Sequence, residues 1–101
     1  MSLTDRIRAA RQAHEALRAE PPHSANLPAK AKVYQDVKAL LDELRAAATG
    51  PGVAGDLVDI RRAIRLLALD AEYHAGLNDS EGFRNPAEAW GQYELLERVF
   101  A

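Results

Sequence analysis

Apolar residues recur along this chain in alternating steps of four and three, and that spacing predicts four helices. The first stripe is Leu3, Ile7, Ala10, His14 and Leu17, on a helix over 4–19. Hydroxyl caps at Ser2 and Thr4 open it, Asp5 suits the positive end of the helix dipole, and Pro21-Pro22 cannot continue it. The second stripe is Val33, Val37, Leu40, Leu44 and Ala47, widened on one side by Tyr34, Leu41 and Ala48. It predicts a helix over 28–48, with Pro28 in the first turn and Thr49-Gly50-Pro51-Gly52 as its stop.

The third stripe is Leu57, Ile60, Ile64, Leu67, Ala71 and His74, on a helix over 56–76 with Gly76 as a left-handed cap. This helix carries a second apolar line, Val58, Leu66, Leu69 and Tyr73, which narrows the polar sector to Arg61, Arg65 and Glu72. A helix apolar on most of its circumference is central or covers a partner. The fourth helix, over 86–100, opens with Asn85-Pro86-Ala87-Glu88, a cap residue, a first-turn proline and a glutamate at capping-box spacing. Ala89, Tyr93, Leu96 and Phe100 form its stripe, with Trp90 beside it. Gly91 weakens this helix and suggests close approach of another backbone. The segment 77–84 reads as a polar loop anchored by Phe83.

Matching stripes of this kind pack as near-antiparallel helices, so the expected architecture is an all-α, single-domain four-helix bundle covering residues 1–101. Composition agrees with the class. Alanine occurs 20 times and leucine 13, against 10 for valine, isoleucine and threonine together. Helix formers thus dominate over the β-branched residues that suit strands. The alanine excess and ten arginines against three lysines fit a GC-rich bacterial or phage genome.

The absence of cysteine removes disulfides, thiolate metal sites and cysteine nucleophiles. No apolar run approaches the ~20 residues that span a bilayer and no signal peptide is evident, so a cytoplasmic protein is expected. Net charge is −2, which argues against a general nucleic-acid binder. The charge is unevenly placed: residues 1–50 carry +2 and residues 51–101 carry −4. Five of the six aromatics lie in the acidic part.

The candidate chemistry is sparse. Ser2, Ser24 and Ser80 lie in no nucleophile elbow, and the glycines at 50, 52 and 55 are followed by no lysine–serine pair. Catalytic residues and cofactors are therefore expected to be absent. Of the three histidines, His14, His23 and His74, two fall on core stripes. Asp70 and His74 share a helical face, so with His14 they offer two imidazoles and a carboxylate. That set suits zinc or ferrous iron; the same residues equally form an internal pair that orients a buried ring. Arg6, Arg8 and Arg11, with Arg61, Arg62 and Arg65, offer a joint basic patch for the phosphates of a nucleic acid or for an acidic protein surface, unless nearby Asp5, Asp56 and Asp59 pair with them.

The sequence leads to a non-catalytic protein acting by protein–protein contact, as an adaptor, an inhibitor or immunity-type protein, or an assembly subunit. The expected contact residues are Leu66, Leu69, Tyr73, Phe83 and Trp90, because the second face of the third helix needs a cover. Either the fourth helix supplies that cover or a second copy does; a homodimer is the commonest solution.

Overall fold

A computed structural model describes residues 1–21 and 26–101. His23 lies outside the described residues. Four helices follow in order: α1 Leu3–Arg18, α2 Leu27–Ala47, α3 Leu57–His74 and α4 Pro86–Val99. No strand occurs among the described residues.

The helices start where side chains can satisfy the free N–H groups of a first turn. Ser2 accepts from the Asp5 N–H, Asp56 from Val58 and Asp59, and Asn85 from Ala87. α2 starts differently: Asn26 is left-handed, with φ of 68°, and makes no side-chain cap. Pro28 presets the first turn there instead. Gly76, with φ of 80°, takes the left-handed position after α3, and the Leu77 N–H donates back to the Glu72 carbonyl.

Sequential helices run antiparallel. Arg6 near the start of α1 reaches Glu43 near the end of α2. Tyr34 near the start of α2 reaches Glu72 near the end of α3. The Ala54 N–H, just before α3, donates to the Val99 carbonyl at the end of α4. Arg8 on α1 meets Glu97 on α4 and closes the ring of helices. α1 and α3 also touch across the bundle, while α2 and α4 do not. The α1–α3 diagonal is therefore the short one, and polar side chains on it are forced together.

The core holds the expected stripes of α1, α3 and α4, with one shift on α2. Ala47 is exposed and Ala48 buried, so the inward line is Tyr34, Val37, Leu41, Leu44 and Ala48, with Leu40 beside it. The sequence carries both lines one residue apart, and packing selects the one holding the larger Tyr34 and Leu41.

Candidate functional site

The α1–α3 diagonal buries a polar network. His14 and Arg18 are one turn apart on α1; Asp70 and His74 are one turn apart on α3. His14 and Asp70 are fully buried, with no solvent exposure. His14 Nε2 lies 2.7 Å from Asp70 Oδ2, and His14 Nδ1 lies 2.7 Å from the Tyr93 hydroxyl on α4. A carboxylate only accepts, so the ring donates from Nε2 to Asp70, and in the neutral ring Nδ1 is then the acceptor for the Tyr93 O–H. Burial, with the nearby Asp70 charge, pushes the Tyr93 phenol pKa upward and keeps that proton in place. Trp90 caps the cluster, its ring edge-on to His14 at 5.5 Å and beneath the Arg11 guanidinium at 5.8 Å.

Arg18 ties the network to the loop before α4. Its Nε donates to Asp70 Oδ2 at 2.9 Å. Its Nη2 lies 3.1 Å from Asp70 Oδ1, 3.1 Å from Glu81 Oε1 and 2.6 Å from the Phe83 carbonyl. The Phe83 N–H returns to Asp70 Oδ1 at 3.1 Å. Burial raises the Asp70 pKa, but donors from His14, Arg18 and the Phe83 N–H outweigh it and bring the carboxyl down to about 2. His74 is the unsatisfied member: both ring nitrogens are buried without a hydrogen-bond partner. Its Nε2 is 3.4 Å from Glu81 and 3.7 Å from Asp70, within ion-pair reach but out of hydrogen-bond alignment. Burial lowers its pKa; Asp70 and Glu81 pull upward, Arg18 pushes down, and the net direction is down.

His14 and Asp70 thus meet through a hydrogen bond, and His74 lies 3.7 Å from the same carboxylate without one. For a metal the matching set among the described residues is Asp70, His74 and Glu81, whose ligand atoms lie within 4.8 Å of one another. His14 is outside it because both its nitrogens are committed. Asp70 already accepts two hydrogen bonds on each oxygen, which fills its lone pairs. Arg18 Nη2 bridges Asp70 and Glu81, where an ion would bind, so a divalent cation must first displace a guanidinium. Arg18 and Glu81 escaped the sequence reading, although Arg18 follows His14 by four residues just as His74 follows Asp70.

The expected contact residues are largely enclosed. Phe83 is buried in the core of the chain, its backbone pinned to Asp70 and Arg18. Leu66 and Trp90 are part-buried against the core. Leu69 and Tyr73 are also part-buried, and the Leu69 carbonyl accepts from Asn78. Gly82 lets the loop lie on α3: an added Cβ would come 2.5 Å from the Leu66 carbonyl oxygen and 2.9 Å from the Asp70 nitrogen. Loop 75–85 therefore lies on the backbone of Leu66 and Leu69 and leaves Leu66, Leu69 and Tyr73 part-buried, while Val58 on the same face stays open and Leu66 also lines a groove between α3 and α4. Gly91, by contrast, faces open space, and the expected close backbone approach is at Gly82 instead.

Arg18 belongs to the buried network, Arg84 and Arg98 are exposed away from the groove between α2 and α3 and form no ion pair among the described residues, and the other seven arginines divide into two groups. Arg6, Arg8 and Arg11 pair with Glu43, Glu97 and Glu15, so no joint patch forms with α3, and the pairing does not use the aspartates nearby in sequence. Arg45, Arg61, Arg62 and Arg65 are exposed and form no ion pair among the described residues. All four line one groove of about 500 Å³ between α2 and α3, together with Lys38, Asp42, Val58, Ile64 and Ala68. Lys38 donates to Asp42 at 2.7 Å, which leaves the groove strongly positive.

Fold and interior define an all-α four-helix bundle closed by a buried Arg–Asp–His–Tyr network, with an arginine-lined groove outside. No family model matches the chain, and comparison with curated proteins and solved structures found no match. No described helix is long and apolar enough to cross a membrane.

Proposed function

We propose that this chain is a small, non-catalytic cytoplasmic protein of bacterial or phage type that works by contact with another protein through the α2–α3 groove. The observation that carries this reading is the gathering of Arg45, Arg61, Arg62 and Arg65, none ion-paired among the described residues, around the groove. Like charges held together repel, and a surface of opposite charge relieves that repulsion while steering association. Val58, 73% exposed at the groove, adds the apolar contact that protein partners use. The residues with catalytic chemistry support the same reading. His14 and Asp70 are sealed from solvent, and their polar atoms are spent on one another, on Arg18 and on Tyr93.

The contact face moves from where the sequence suggested it. The motive for a homodimer centred on Leu66, Leu69, Tyr73 and Trp90 weakens, because all four are part-buried within the one chain and loop 75–85 lies on the Leu66 and Leu69 backbone. Crosslinking of tagged chain in its native cells tests the reading. Partners captured by the natural chain are expected to be lost with Arg61→Glu/Arg65→Glu and kept with Arg8→Glu. Partners kept by the groove variant but lost with Leu69→Glu, while both variants stay helical, would return the contact to the second face of α3. Recovery of nucleic acid in place of protein would replace the reading with one of phosphate binding.

A further inference from the structure

Resting on that reading, we infer that the α2–α3 groove receives an acidic amphipathic helix, with two carboxylates one turn apart and an apolar residue at either end. The inference follows from register. Val58, Arg61, Arg65 and Ala68 line the groove at steps of three, four and three, a single straight line along α3. Lys38, Asp42 and Arg45 form the facing line on α2, at steps of four and three. Two helical ridges with a furrow between them are what a third helix packs into.

The α3 line runs ten residue steps from Val58 to Ala68, about 15 Å at the helical rise, which is matched by roughly three turns of a partner helix. Its chemistry reads apolar, cation, cation, apolar. The complementary line carries an apolar residue, a carboxylate three residues on, a second carboxylate four further and an apolar residue three beyond that. Arg61 and Arg65 then each meet one carboxylate, and Val58 and Ala68 each meet one apolar side chain. Arg45 closes the groove from α2, and Lys38 neutralises the one carboxylate in the lining.

Two other occupants fit less well. A second copy of this chain cannot supply the line, because no two acidic residues of the sequence are four apart. A nucleic-acid backbone offers charge to the arginines and nothing to Val58 and Ala68, so it leaves the apolar ends of the line unused.

The test titrates the intact chain into fluorescent, helix-stapled peptides of pattern Leu-x-x-Glu-x-x-x-Glu-x-x-Leu, read by anisotropy. The comparison probes are the same peptide with its glutamates moved to different helical faces, and a DNA duplex. Arg61→Ala/Arg65→Ala is compared with Arg6→Ala/Arg8→Ala, each checked for unchanged helicity. The proposal expects saturable binding of the first peptide. It expects a loss of about tenfold or more for the groove variant and for the rearranged peptide, and little change for the α1 variant. Equal binding of both peptides would overturn the helical register and leave the protein-contact reading standing. No binding of the first peptide would overturn this proposal alone, since partner capture tests the broader reading separately. Tighter binding of the duplex, with the same arginine dependence, would overturn both.

Discussion

Burial alone would make Asp70 a weaker acid, yet the donors around it hold its carboxyl near about 2. The difference from an ordinary 3.8 makes ionised Asp70 a contributor of roughly 2 kcal/mol to stability. Its folded-state pKa is below the unfolded one, so this contribution is complete above pH ~4 and is lost as pH falls toward 2. His74 is also depressed, so the unfolded chain takes up its proton first. Its contribution is present above the ordinary histidine value of 6.5 and falls away below it. Urea unfolding across pH is therefore expected to show a plateau near neutrality, a first decline below about 6.5 and a second below about 4. His74→Leu is expected to erase the first decline and to cost little at pH 8, since neither ring nitrogen has a hydrogen-bond partner. Asp70→Ala strands Arg18 and His14 and is expected to cost about 3–5 kcal/mol in the same measurement. An unchanged midpoint for Asp70→Ala would contradict the network as described.

At the level of elements, two glycines behave oppositely for reasons the structure makes plain. Gly91 sits inside α4 facing open space, so Gly91→Ala is expected to raise stability by about 0.5–1 kcal/mol. Gly82 carries the loop onto the α3 backbone, and Gly82→Ala is expected to destabilise the protein, with both changes read from thermal melting. The helices themselves were legible because caps, prolines and heptad stripes are local signals. Meeting of His14 with Asp70 was legible too, since His14 lies on the inward stripe of α1 and Asp70 shares a helical face with His74 on the inward stripe of α3. What the chain does not spell out locally is which loop covers which helix. Phe83 was readable as a loop anchor. That its backbone N–H and carbonyl complete the Asp70–Arg18 network depends on a fold-back set by tertiary packing. Ala47 and Ala48 show the same limit: adjacent alanines lie on neighbouring lines, and only packing decides between them.

At the scale of the whole molecule, ionic chemistry is divided between a closed interior and an open groove. Charges on the α1–α3 diagonal are spent inside, where they join α1, α3 and the 75–85 loop. Arginines on the α2–α3 face have no such internal use, and that contrast is the basis for placing the working surface there. The most direct measurement follows backbone amide resonances of the isotope-labelled chain as the acidic helical peptide is added. The account predicts shifts confined to Lys38, Asp42, Arg45, Val58, Arg61, Arg62, Arg65 and Ala68, with His14, Asp70, Phe83 and Tyr93 unmoved. Shifts centred instead on Leu69, Tyr73 and Trp90, or spread through the buried network, would contradict it.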